Sequence, residues 1–257
     1  MDVLKKELNA IYEGQNLAAE KLDYEILDRC KRKVEIAADV DSDCRVITDA
    51  AADHCYIYGG GFTRFIGLCD SGLYISEMDS GDEDVIYNRI NPENLVDKRM
   101  LEYEFFKFID TLPPDEKLNY KATCRFRIKN RNGDYVYVDN STGIMRLSPN
   151  GKIWLILCCY CLSPNQESTP GISPRIVNGE TGEIIGIKLS DKRARILTER
   201  EKEILNLIKE GKLSKQIAGI LGISVHTVNR HRQNILEKLS VGNSIEAINA
   251  AALMKLT

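Results

Sequence analysis

Two hydrophobic periods divide the chain. From Lys121 to Ile128 the apolar residues fall at every second position. Ala122, Cys124, Phe126 and Ile128 take one side, and Lys121, Thr123, Arg125 and Arg127 the other, the alternation of a half-buried strand. Asn130-Arg131-Asn132-Gly133-Asp134 follows, and Asn-Gly between such segments is a strong hairpin signal. Tyr135 to Leu147 then reads as the return strand, Ser148-Pro149-Asn150-Gly151 as a second turn, and Ile153 to Leu162 as the third strand of a meander. Arg125, Arg127 and Lys129 are the solvated side of that sheet. Upstream, residues 2–38 carry a helical period, with Leu4, Leu8 and Ile11 on one face and Leu22, Ile26 and Val34 on another, divided at Gly14. Cys55 to Tyr58 is strand-like and ends at Gly59-Gly60-Gly61. Helices are expected over 85–89 and 95–109, where Glu102 and Glu104 read as solvated positions.

The helical period returns at Leu197 and holds to the end. Thr198 with Glu201 has the spacing of a capping box, followed by Ile204, Leu205, Leu207 and Ile208 at core spacing and by Gly211 as a stop. Ser214 is read as the cap of a short helix with Ile217, Ala218 and Leu221 inward, ended by Gly222. Ser224 caps a third helix to about Leu239, and Asn243 with Glu246 starts a fourth, Ile245 to Lys255. A short helix, a glycine turn and a longer helix form a helix-turn-helix arrangement. At about 100° per residue, Val228, Ile235 and Leu239 share a narrow arc and must face the core. His226, Asn229, Arg230 and Gln233 point the other way, in the first half of the helix. Arginine bonds guanine O6 and N7, and asparagine or glutamine bonds adenine N6 and N7. The competing reading, the wet side of an ordinary helical bundle, stays open on pattern alone.

Charge favours the first reading. From Lys188 onward there are 13 Lys and Arg against 7 Asp and Glu, leaving 22 basic and 31 acidic residues in front. A basic tail on an acidic front part suggests that only the tail meets a polyanion. Composition, at 43% apolar and 28% charged, is that of a globular protein. No apolar run approaches the ~18–20 residues of a membrane span, and the N-terminus shows no secretory signal; a cytoplasmic location without membrane association follows as the expectation. Eight scattered cysteines read as reduced thiols. Cys158, Cys159 and Cys161 lack a second ligand pair for zinc. His54 lacks the pattern of a haem ligand, so no cofactor is expected.

Ser163 to Pro174 holds three of the seven prolines and neither period, so it reads as a linker, with a short hairpin from Arg175 to Ile185 behind it. Three features of the front part, Tyr56 to Gly61, Arg89-Ile-Asn-Pro-Glu-Asn-Leu95 and Phe126 to Tyr135 with its two long strands, resemble a PAS sensory domain over about residues 45–163. Asn91 stands where that family usually has histidine. In the tail, Leu197-Thr-Glu-Arg-Glu201, Ile217-Ala218, Leu221-Gly-Ile-Ser224, Thr227-Val228, His231, Asn234-Ile235 and Lys238-Leu239 with Val241 closely resemble the LuxR-type DNA-binding domain. This resemblance implies base contacts at Asn229, Arg230 and Gln233, to which the residue arithmetic adds His226. It places phosphate contacts around Lys215 and Thr227, with Arg232 on the flank toward a phosphate. It implies dimerisation through Ile245, Ile248 and Ala252, for which packing within the monomer is the alternative. His231 matches a family position but sits on the apolar flank, where a packing role is as good a reading. Asn229, Gln216 and Ser244 replace the family's frequent lysine, glutamate and arginine.

The expectation is therefore an α+β chain. A helical segment (1–44) precedes a PAS-like antiparallel sheet with flanking helices (45–163), a linker with a hairpin (164–190) and an all-α four-helix DNA-binding domain (191–257). The implied function is a bacterial, non-enzymatic transcription regulator acting as a homodimer on promoter or operator double-stranded DNA, with contact to RNA polymerase and a small-molecule signal left open. A sigma-factor-like initiation protein is the alternative, although the β-rich middle supplies no helical polymerase-binding region. An enzyme would need a convergent catalytic group, and none stands out.

Overall fold

The computed structural model describes residues 10–11, 14–189, 196–239, 241–254 and 256. Leu4 and Leu8, two of the three residues of the first expected helical face, lie outside them. The chain splits into two compact units, residues 8–187 and residues 188–257, the latter taken with 1–7.

The first unit opens with a 3-10 turn at Leu17–Ala19 and helix α1 (Tyr24–Asp41), whose first turn is capped by Asp23 accepting from the Glu25 amide. Strands β1 (Cys44–Asp49) and β2 (His54–Gly59), a short helix α2 (Gly61–Phe65) and strand β3 (Tyr74–Met78) follow. Next come α3 (Asp84–Tyr87) and α4 (Pro92–Asp110), then the three long strands β4 (Tyr120–Lys129), β5 (Tyr135–Leu147) and β6 (Ile153–Leu162). Strands β7 (Arg175–Asn178) and β8 (Ile184–Gly186) complete one eight-stranded sheet in the order β3-β2-β1-β6-β5-β4-β7-β8. Every pairing is antiparallel.

The expected meander is the centre of this sheet. Its first turn forms as the Asn130 carboxamide accepts from the Asn132 and Asp134 amides, with Gly133 at φ 90°, a value that suits glycine. Of the flanking strands, β1 went unread for a physical reason: it is buried almost throughout, and such a strand shows no period of two. Helix α1 packs Leu27, Cys30, Val34 and Ala38 on Ile47, Tyr58, Trp154 and Leu155. Helix α4 begins three residues before the expected 95, because Asn91 caps it from Glu93 and Asn94 and Pro92 fills its first turn. The Asn94 carboxamide then accepts from both the Arg127 amide and guanidinium, holding α4 to β4.

The stretch expected as a linker needs correction. Arg125 donates to the carbonyls of Asn165 and Glu167 and to the Thr169 hydroxyl, and Ile172 is 1% exposed. Strand β7 then pairs along β4 from Tyr120 to Thr123. The prolines stop helix and strand up to Pro174, but the strand edge of β4 offers unpaired amides and carbonyls that the hairpin satisfies. Glu102 is also corrected: it is 5% exposed instead of solvated.

Candidate nucleic-acid interface

The second unit contains α5 (Glu199–Lys209), α6 (Ser214–Leu221), α7 (Val225–Leu239) and α8 (Ser244–Leu253). The capping box of α5 forms in both directions: the Glu201 amide donates to Thr198 Oγ1 at 3.3 Å, and the Thr198 amide to Glu201 Oε2 at 2.8 Å. Glu201 Oε2 also accepts from Lys238 Nζ at 2.6 Å, which ties α5 to α7. Burial pushes the Glu201 carboxyl up, but the hydrogen bonds from Lys238 and Thr198, with the Lys238 charge, outweigh it and hold the group below its ordinary value. Gly222 ends α6 in the left-handed region at φ 64°, and the Ile223 amide closes on the Ala218 carbonyl.

Helix α6 is not capped by Ser214. Leu213 is the boundary residue, and its amide is satisfied by Gln216 Oε1 at 2.8 Å. Gln216 thus performs half of a capping box where the resembled family usually has glutamate. Ser214 instead accepts from Arg232 Nη1 at 3.0 Å, while Arg232 Nη2 donates to Ser244 Oγ at 2.9 Å. Arg232 is therefore a bolt between the starts of α6 and α8. Among the described residues these two hydrogen bonds engage two of its five N–H donors. On α7 the cap is Ser224, which accepts from the Thr227 amide at 3.0 Å and shares a hydroxyl hydrogen bond with Thr227 at 2.8 Å.

Helix α7 sorts its side chains as the angular arithmetic requires. Val228, Ile235 and Leu239 are 0–1% exposed. His226, Asn229, Arg230 and Gln233 are all exposed, as is Lys215 on α6; Thr227 and Arg232 are half-buried. Gln233 Nε2 donates to Glu237 Oε1 at 3.0 Å. His231 is half-buried, and its Nδ1 is enclosed with no hydrogen-bond partner among the described residues, in keeping with the packing alternative. Helix α8 buries Ala247, Ala250 and Ala251, exposes Ala252 and leaves Ile245 73% exposed, with Ile248 half-buried. The result is a compact helical unit presenting a polar strip on one helix and an isoleucine on another.

Residues 195–251 match the family of bacterial regulatory proteins, luxR family. The chain is 52% identical across 58 residues to the uncharacterized response regulatory protein YgeK of Escherichia coli, covering 23% of this chain and 40% of that one. It is 44% identical across 62 residues to the transcriptional regulatory protein UhpA of Escherichia coli, covering 24% and 32%. The chain thus spans less than half the length of these relatives. Among solved structures, the Vibrio cholerae VqmA dimer, described as a LuxR-type receptor, aligns over 88% of each chain at 14% identity and a TM-score of 0.32, too distant to carry a structural conclusion.

The first unit holds a second polar feature that sequence reasoning missed. Lys98, 0% exposed, donates to the Glu102 carboxylate and to Tyr87 Oη at 2.9 Å; Tyr87 Oη donates to Glu102 at 3.1 Å; Arg99 donates to Asp82 at 2.6 Å. Tyr160 donates to Glu83, which is 2% exposed. Burial pushes the Glu83 carboxyl up, against the pull of the Lys98 charge. A void of about 20 Å³ borders Asp82, Glu83, Tyr87, Arg99 and Glu102, the size of a water molecule. The signal available in the sequence was Lys98-Arg99 set one turn from Glu102, the spacing of an intrahelical ion pair.

Proposed function

We propose that this chain is a sequence-specific DNA-binding transcription regulator. The observation that carries the reading is the sorting of α7: Val228, Ile235 and Leu239 are buried while His226, Asn229, Arg230 and Gln233 are exposed together. The match of residues 195–251 to luxR-family regulators supports it. In this reading α7 enters the major groove, with Asn229, Arg230, Gln233 and His226 meeting base edges. Lys215, Thr227 and Arg232 meet phosphates. One helix reads few bases, so a homodimer reading two half-sites about one helical turn apart completes the recognition. The exposed Ile245, with Ile248 and Ala252, is its contact. Among the described residues no helix is long and apolar enough to cross a membrane; a cytoplasmic location, with contact to RNA polymerase at the promoter, belongs to the same proposal.

The first unit would set activity as a PAS-like module, by binding a small-molecule signal or by dimerising. The antiparallel sheet with helices against it agrees with that resemblance. The buried ionic nest supports a signal-responsive role, since such groups contribute little to stability for their desolvation and gather at functional sites. No observation favours the sigma-factor-like alternative. Selection of bound sequences from random duplex DNA by the full chain tests the proposal: a recurring motif with steep salt dependence is expected, and binding without sequence preference at low salt would reject it.

A further inference from the structure

Glu237 lies on the face of α7 that is proposed to read DNA. At about 100° per residue it is about 40° from Gln233 and about 20° from Arg230, and opposite the arc of Val228, Ile235 and Leu239. A carboxylate on a surface that meets a polyanion weakens binding, so its place there calls for a function. Its hydrogen bond with Gln233 supplies one. A carboxylate only accepts, whereas an amide both donates and accepts. Glu237 therefore selects one of the two orientations of the Gln233 amide, with Nε2 toward the carboxylate. The planar amide carbon holds Oε1 on the other side, as the acceptor turned away from Glu237. Glu237 also lies about 6 Å further along the helix axis than Gln233, toward the C-terminal half and away from the end that enters the groove.

We propose that Glu237 is a positioning residue that sets the polarity of Gln233, so that the carbonyl oxygen is offered to the base edge. Adenine and cytosine present an amino group in the major groove, where guanine and thymine present an oxygen. The base pair read by Gln233 is therefore adenine or cytosine on the contacted strand. One Nε2 hydrogen remains and reaches N7 when that base is adenine. Without Glu237 the amide turns either way and the distinction fades. This rests on α7 being the recognition helix.

The test uses the full chain and a duplex selected by the wild type. The position that loses preference in Gln233→Ala identifies the base pair concerned, and the four bases are then competed there. The wild type is expected to prefer the intact duplex about fivefold or more over one in which that pair lacks its major-groove amino group, with purine replacing adenine or 2-pyrimidinone replacing cytosine. Glu237→Gln should bind all sequences at least as tightly, having lost a negative charge, while that ratio falls below about twofold at this position alone. In a Gln233→Ala background, Glu237→Gln should leave every base ratio unchanged. An unaltered ratio in Glu237→Gln overturns the proposal, as does a wild type whose binding is undiminished when that amino group is removed. A ratio that Glu237→Gln still shifts without Gln233 overturns it too, since Glu237 would then read a base itself. A wild type with no sequence preference removes the recognition-helix reading beneath it, an outcome separate from all of these.

Discussion

Arg232 shows how a single side chain acquires a role that its spacing does not announce. As a cation on the flank of the recognition helix it suits a phosphate, yet its guanidinium joins Ser214 to Ser244. Arg232→Ala is expected to cost the second unit about 1–3 kcal/mol, since two hydrogen bonds to a charged group are lost. Lys215→Ala, on an exposed position with no such tie among the described residues, should leave the melt unchanged and lower the salt slope of DNA binding by about one. Thermal unfolding of both variants beside a salt titration separates bolt from phosphate contact. Glu201 adds a pH dependence. Its folded-state value lies below the ordinary 4.5, so its stabilisation is complete above that pH and is lost as pH falls through the lower folded value. Glu201→Gln should flatten this acid limb, read as hydrogen exchange of the buried Ile204 and Leu205 amides; an acid limb identical to the wild type's would show that the Lys238 pair is not formed.

At the scale of elements, the turn between α6 and α7 aims the recognition helix. Gly222 sits at φ 64° with nothing within 4 Å of where a Cβ would be. The cost of Gly222→Ala is therefore backbone alone, about 1–2 kcal/mol, and is checked by urea denaturation followed by far-ultraviolet circular dichroism. Arg230→Ala should fold as the wild type does, because the residue is exposed. It should weaken binding to a selected site by about 1–3 kcal/mol and relax one base position; undiminished affinity in a fluorescence-anisotropy titration would contradict the assignment of the reading face. The helix and its apolar stripe were legible because period, caps and glycines agree over the whole segment. The identity of the α6 cap was not, since Ser214 and Leu213 differ by one residue and the choice depends on Gln216 reaching back.

At the scale of the molecule, the ionic nest of the first unit buries charged groups at a desolvation cost. Lys98→Met would leave Glu102 buried with Arg99, 3.9 Å away, as its remaining cation, at a cost of up to about 3–5 kcal/mol; adding Glu102→Leu should recover part of that loss. Urea unfolding followed by the fluorescence of the buried Trp154 measures both, and an unchanged midpoint for Lys98→Met would show that the nest does not form. Glu102 was read as solvated because a helix period reports only one buried face, whereas α4 buries residues around most of its circumference. The same limit hid β1, β3 and the joining of β7 to the sheet, for a strand's partners are chosen by edges far away in sequence. Local rules acting within a few residues therefore determined the meander, the four C-terminal helices and the polar side of α7: alternation, capping oxygens, glycine turns and angular separation are properties of neighbours. Tertiary structure alone decided the burial of the Lys98–Glu102 pair, the bolt made by Arg232 and the eight-strand order, because each depends on groups brought together across long stretches of chain, where desolvation and hydrogen-bond satisfaction are settled by the packed whole.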